Sequence, residues 1–208
     1  MPRSDMQRRL SPAISLAASL ATVALPSLAT AKPHDGLLLR ATPGVSAAAA
    51  TTTVDETDYS LSGGAGQLGL VAGWAVAPRF IITGELLGHA ILGPDLEIDG
   101  EVTETDDDEV TWGISYAGVG VTYYFQSNAY LSASGGPLIM TLDTDEEDEE
   151  RTEVGGAAKL SAGYEWWVGP EFGLGAAVEL LAGAVPDGEE DVTWGVATLG
   201  LALSATYN

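Results

Sequence analysis

The stretch VTWGVATLGLALSATY, residues 192–207, decides the fold of this chain. Its bulky apolar side chains stand at odd positions, as at Leu199, Leu201 and Leu203. From residue 198 on, its even positions carry small or weakly polar residues such as Thr198 and Ser204. A period of two is typical of a β-strand with two different faces. Small residues suit the inside of a narrow barrel and leucines suit a surface in lipid, so the stretch predicts a strand of a transmembrane β-barrel.

Seven further strand-like stretches precede this one. Many exceed the usual soluble strand of about five or six residues and match the roughly ten residues with which a tilted strand crosses a bilayer. After Lys32 no uninterrupted apolar run reaches about eighteen residues, so strands must make any membrane crossing. The eight predicted strands are residues 37–46, 67–76, 80–92, 110–125, 129–142, 154–167, 171–184 and 192–207.

The connections between these strands alternate in length. Three are short turns, at residues 77–79, 126–128 and 168–170. The others are longer and acidic, and they span residues 47–66, 93–109, 143–153 and 185–191. The pattern predicts an all-β fold, an eight-stranded antiparallel up-and-down transmembrane barrel with short periplasmic turns and long acidic extracellular loops. We also expect a bulge or bend at Gly135-Gly136-Pro137, because proline cannot donate to a ladder.

The first 31 residues are typical of a cleaved secretory signal peptide. Three arginines precede an apolar run over residues 10–29, and Ala29-Thr30-Ala31 supplies a small-x-small cleavage pattern. An uncleaved membrane anchor is the alternative, which the prolines within the run disfavour. We therefore expect residues 1–31 to be removed and residues 32–208 to form one barrel domain.

The composition excludes several kinds of chemistry. The chain has no cysteine, so disulfides and thiolate chemistry are excluded. It carries 8 Lys and Arg against 30 Asp and Glu, a formal net charge of -22. Phosphate binding needs clustered cations, so nucleic acid is not expected as a partner.

Aromatic residues gather near the predicted short turns and the C-terminus. Aromatic rings prefer the depth of the lipid headgroups, so this clustering predicts an interface girdle. Its predicted members include Trp74, Phe80, Tyr123, Tyr124, Phe125, Tyr130, Tyr164, Trp166, Trp167, Phe172 and Tyr207. A sparser girdle at the loop end is predicted from Tyr59, Trp112, Tyr116 and Trp194.

Few charged residues fall inside the predicted strands, and their parity points them into the barrel. These predicted members of an interior polar network are Arg40, Glu85, His89, Lys159, Glu165 and Glu179. If the turn is symmetric about Gly169, Lys159 stands directly opposite Glu179, and the two form a cross-strand ion pair. The network either fills space and sets register or forms a gated ion path; the narrow lumen favours filling. Residues four apart on one strand, such as Glu85 and His89, are roughly 13 Å apart, too far for acid–base pairing.

With these features the chain resembles the small eight-stranded outer-membrane barrels of the OmpA and OmpX type over residues 36–208. The resemblance rests on strand number, acidic loops, aromatic girdles and a C-terminal strand ending in Tyr207, although Asn208 follows it. It implies a protein of the cell outer membrane, with lipid and lipopolysaccharide as surroundings. It also implies recognition by the barrel assembly machinery through the C-terminal strand, and interior charge networks that fill the lumen.

The acidic loops are the remaining candidate site. Residues 95–109 and 143–150 are dense in carboxylates, which can hold Ca²⁺. They lack a defined ligand spacing, so we expect solvated loops that hold divalent cations loosely, and neither a bound metal nor a cofactor.

Four functions follow from these patterns. The first is a structural or surface-interaction barrel without catalytic activity, and the second is a narrow cation-preferring pore. The third is a soluble barrel of lipocalin type, which needs its bulky apolar residues inside. The fourth is a membrane enzyme, for which no nucleophile and base pair emerges.

Overall fold

A computed structural model describes residues 36–103, 110–144, 150–187 and 192–208. In this part of the chain eight long strands form a closed antiparallel barrel, because each strand pairs with the next and the first also pairs with the last. The strands are β1 (Leu37–Val54), β2 (Thr57–Ala77), β3 (Phe80–Leu92), β4 (Val110–Tyr124), β5 (Ala129–Thr144), β6 (Gly155–Trp167), β7 (Phe172–Pro186) and β8 (Thr193–Tyr207). No helix among the described residues is long and apolar enough to cross a bilayer.

The register of the barrel gives its tilt and width. Following hydrogen-bonded partners once round from Leu39 leads through Ala72, Val119 and Ala182 back to β1 at Ala49, ten residues along. For eight strands with a rise of about 3.3 Å and a spacing of about 4.8 Å, this stagger requires a tilt of about 41° and a radius of about 8 Å. Such a lumen is filled by side chains.

The two faces of each strand differ as the period-two pattern predicts. In β8, Leu199, Leu201 and Leu203 point outward and are 58%, 64% and 68% exposed, whereas Thr198 and Ser204 are buried inside. A soluble barrel of lipocalin type would place these leucines inside. The outward leucines therefore oppose that alternative and give the barrel an apolar outer wall.

The long-loop end contains more strand than the sequence pattern predicts. Residues 47–66, expected as a loop, instead extend β1 and β2 into one hairpin, closed by Asp55 and Glu56 with φ of 46° and 70°. Positive φ at both central residues is the geometry that tight hairpins favour. A short hairpin of Asp95–Ile98 and Glu101–Thr103 adds to β2, and Glu150–Arg151 pairs with β5.

Of the bulge or bend expected at residues 135–137, the bulge is wrong. Tyr116 pairs with Leu138 and Val119 pairs with Gly135, so the register is the same on both sides of Gly136. Gly136 has no Cβ and the backbone of Ala117 passes close beside it, so the strand accommodates Pro137 without an extra residue. The register shift instead falls late in β2, where it meets the start of β3.

Candidate functional site

The barrel interior holds the predicted charged residues, and those nearest the short turns form one cluster. In this short-turn cluster Arg40 Nη2 lies 3.0 Å from Glu165 Oε1, and Thr206 Oγ1 donates to the same oxygen at 2.6 Å. Tyr124 OH donates to Glu165 Oε2 at 3.0 Å and accepts a hydrogen bond from Arg40. The Arg40 guanidinium lies 4.1 Å from the ring centre of Tyr130. Arg40 and Glu165 are thus buried as an ion pair whose charges also make hydrogen bonds to Tyr124 and Thr206.

A second group, the central cluster, lies further along the lumen and is organised by Lys159. Lys159 Nζ lies 2.9 Å from Glu85 Oε2 and 3.0 Å from Glu179 Oε1. Gln67 Nε2 donates to Glu179 Oε2 at 2.7 Å, and Ser134 Oγ donates to Glu85. Glu179 is on the neighbouring strand β7, whereas Glu85 is on β3, across the lumen. The lysine side chain therefore bridges opposite walls of the barrel.

The strand register that brings Lys159 close to Glu179 differs from the expected register. Lys159 pairs with Leu181, and Glu179 pairs with Ser161, so the two charged residues are diagonal neighbours rather than direct partners. The connecting turn is longer than expected, because the N–H groups of Val168 and Gly169 both donate to the carbonyl of Phe172. Five residues, 168–172, separate the paired Trp167 and Gly173 where three were expected, so the register shifts by two, and the long lysine side chain covers the difference.

His89 lies beside the central cluster but outside its ion pairs. Its Nδ1 is 2.9 Å from Ser46 Oγ, whereas Glu85 is bonded to Ser134 and Lys159. Glu85 and His89 are thus engaged with different partners, and the geometry offers no acid–base pair between them. In the described interior three carboxylates face two cations, Arg40 and Lys159.

Beyond the central cluster, towards the long loops, the interior is apolar. We call this layer the apolar plug. Sequence reasoning missed it, although the even positions of β4 and β5 carry the bulky apolar residues that form it. Its larger buried members are Leu87, Ile91, Trp112, Ile114, Tyr116, Leu138, Met140, Leu181, Val185 and Val196.

The plug overturns the predicted girdle at the loop end. Trp112 and Tyr116, expected at the outer interface, are 1% and 3% exposed and lie inside the barrel. Trp194 packs against the plug, and its Nε1 donates to Asp187 at 3.1 Å. Since Trp and Tyr are also good core residues, nearness to an interface did not decide which face they occupy.

The girdle predicted at the short-turn end needs a smaller correction. Tyr124 and Tyr130 are 2% exposed and belong to the lumen, where Leu38 and Ile81 pack with them. Other predicted members stand on the outer wall, with Phe172 against Tyr207 and Tyr164 against Trp166. The exposed members of the predicted set are Trp74, Phe80, Tyr123, Phe125, Trp166, Phe172 and Tyr207, and Tyr164 and Trp167 are half-buried.

The acidic loops are described only in part. Residues 104–109 and 145–149, which hold the densest predicted carboxylates, lie outside the described residues. Of the described acids, Asp99 accepts a hydrogen bond from the Asp58 N–H at 3.0 Å, which ties the short hairpin to β2. Within the described ranges no group of three or more potential ligands is placed to hold a metal ion.

Comparisons with known proteins support the fold. No protein-family description and no curated protein matches the sequence. Among solved structures, Neisserial surface protein A (NspA) is similar with a TM-score of 0.56 and 15% identity, over 83% of this chain and 97% of that one. The outer membrane protein OprG from Pseudomonas aeruginosa has a TM-score of 0.47 and 12% identity, over 84% and 98% of the two chains. The expected resemblance to small outer-membrane barrels is thus confirmed for the fold.

Proposed function

We propose that this protein is an integral barrel of the cell outer membrane, with a structural or surface-interaction role and a lumen closed to ions. The apolar plug carries the proposal, because it fills the barrel from wall to wall with buried aromatic and aliphatic side chains. A continuous apolar barrier excludes hydrated ions, which cannot replace their water shell there. The ion pairs of the lumen then fix the walls in place and carry no current.

The outer wall supports membrane insertion. Every strand of the barrel pairs on both sides, so the backbone hydrogen bonds are made within the barrel as lipid demands. The exposed leucines of β2, β7 and β8 supply an apolar surface, and the aromatic residues of the short-turn end supply an interface girdle. Outer-membrane lipid and lipopolysaccharide are therefore its proposed surroundings.

We also propose a route of export and assembly. We infer removal of residues 1–31 after passage through the inner membrane. The C-terminal strand, with Tyr207 outward and 37% exposed, is the proposed signal for the barrel assembly machinery. Divalent cations held loosely by the acidic loops would let this negative surface lie beside anionic lipopolysaccharide.

Planar-bilayer recording of refolded protein tests the closed lumen. Wild-type protein whose folding is verified by heat-modifiable migration on a gel should give no stable current steps. A variant with Trp112→Gly and Met140→Gly serves as the matched control, because it removes two large buried side chains of the plug. Stable cation-selective steps from wild-type protein would support the narrow pore instead.

A further inference from the structure

The strands exchange their polar and apolar faces halfway along their length. In β7 the outward residues are Leu174, Val178 and Leu180 near the short turns, but Ala182 and Ala184 near the long loops. The inward residues change in the opposite sense, from glycine, alanine and Glu179 to Leu181 and Val185. Bulky apolar groups thus lie outside in one half of the strand and inside in the other.

Strands β8 and β4 change in the same way. Strand β8 passes from outward Leu199 to outward Ala197, Gly195 and Thr193, while Val196 and Trp194 turn inward. Strand β4 passes from outward Val121 and Val119 to outward Ser115, Gly113 and Thr111, while Tyr116, Ile114 and Trp112 turn inward.

These changes fall on one level ring. A level ring is a circle perpendicular to the barrel axis. Because the register staggers by ten residues over eight strands, this circle moves away from the line of hydrogen-bonded partners by about 1.25 residues at each strand. A ring drawn level from Ser46 passes near Gly66, Gly88, Tyr116, Pro137, Ala157, Leu181 and Leu199. On β1, β2, β4, β5, β7 and β8 the bulky outward residues end within about two residues of this ring, which the register alone defines. Strand β3 departs from this pattern, because Leu92 is 67% exposed above the ring.

We infer that the lipid hydrocarbon ends at this ring, and that the barrel beyond it stands in the headgroup layer and water as a barrel with a hydrophobic core of its own. The inference rests on the proposed membrane function. From the ring to the short-turn ends of β3, β7 and β8, the wall is about 20 to 24 Å tall, close to the about 25 Å expected of a lipid-facing band. Beyond the ring the hydrophobic effect acts inward, which explains why the plug is there.

The two walls accordingly fit different surroundings. The wall below the ring presents leucine, valine and aromatic side chains, which are suited to contact with lipid acyl chains. The described wall above it presents mainly alanine, glycine, serine and threonine, a surface suited to water and polar headgroups. Strands β1 and β2 continue about 20 Å above the ring and hold the acidic tip of their hairpin at that height.

Cysteine accessibility tests the position of the ring, since the chain contains no native cysteine. Single variants Ala184→Cys and Ala197→Cys lie above the ring, and Ala176→Cys and Ala205→Cys lie below it on the same two strands. All four alanines are exposed on the outer wall. Each variant is refolded into dilauroyl phosphatidylcholine vesicles, checked by heat-modifiable migration, and labelled with a membrane-impermeant maleimide, with Thr53→Cys at the hairpin as the fully accessible reference.

The upper pair should label at least tenfold faster than the lower pair. Equal protection of all four sites, with Thr53→Cys labelled, would refute the inferred hydrocarbon boundary at the ring but would remain consistent with a membrane-inserted barrel. Equal labelling of all four in verified folded protein would instead contradict membrane insertion itself. If a variant does not fold, Ala49→Cys above the ring and Ala72→Cys below it replace the affected pair and decide by the same ratio.

Discussion

Replacing Lys159 with methionine tests whether the central cluster stabilises the barrel. The Lys159 ammonium lies 2.9 and 3.0 Å from two carboxylates, and the side chains of all three residues are at most 5% exposed. At an effective dielectric constant of about 20, each attraction is about 5.5 kcal/mol, and much of this gain is offset by desolvation of the charges. Removing the lysine alone leaves Glu85 and Glu179 buried without their cation, so we expect the free energy of unfolding to fall by about 3–5 kcal/mol.

Urea unfolding of the refolded protein in vesicles, followed by tryptophan fluorescence and by heat-modifiable migration, measures this loss. The matched control is the triple variant Lys159→Met, Glu85→Gln and Glu179→Gln, which removes the charges together. It should recover most of the lost stability, because neutral amides in the lumen can hydrogen-bond to each other and to Ser134. A loss below about 1 kcal/mol for the single variant, or no recovery in the triple variant, would refute the reasoning.

Further substitutions test the wall, the plug and the close approach of strands. Leu203→Arg places a charge near the middle of the lipid-facing wall and should cost about 2–4 kcal/mol, whereas Thr193→Arg, above the ring, should cost less than about 1 kcal/mol in the same vesicle unfolding assay. Trp112→Ala should lower the free energy of unfolding by about 3–5 kcal/mol, because the plug cannot collapse into the space, and Trp112→Phe should lose less than half of that. Gly136→Ala should destabilise the fold by more than about 1 kcal/mol, because its Cβ would meet the backbone of Ala117. Gly88→Ala, with open space beside it, should change stability by less than about 0.5 kcal/mol, and equal effects of the two glycine variants would contradict the packing described.

The strands could be predicted where their two faces differ strongly. Strand β3 has the bounds that the sequence pattern predicts, because Ile81 and Glu85 alternate with bulky outward residues between two turns. The Ala- and Thr-rich residues 47–53 show no such contrast, so the sequence pattern predicts a loop there. There the hairpin forms because the backbone of β1 pairs with β8 and β2 together.

The contents of the lumen could be predicted only in part. Parity alone points Arg40, Lys159 and Glu179 inward, since a charge on the lipid face would be costly. Which residues they pair with depends on the turn lengths and on the stagger of the whole barrel. The sequence of a single strand does not determine either quantity. Counting from the outward Val121 gives the inward positions of Trp112 and Tyr124, so in this strand parity predicts the face of an aromatic residue better than nearness to a loop does.

The apolar layers at the two ends of the lumen separate the charged side chains of the central cluster from solvent. Leu38, Ile81 and the two lumen tyrosines close the short-turn end, and the plug closes the other. Neither solvent compartment is in open contact with Lys159 and its carboxylates, so solute exchange there waits for transient opening of the wall.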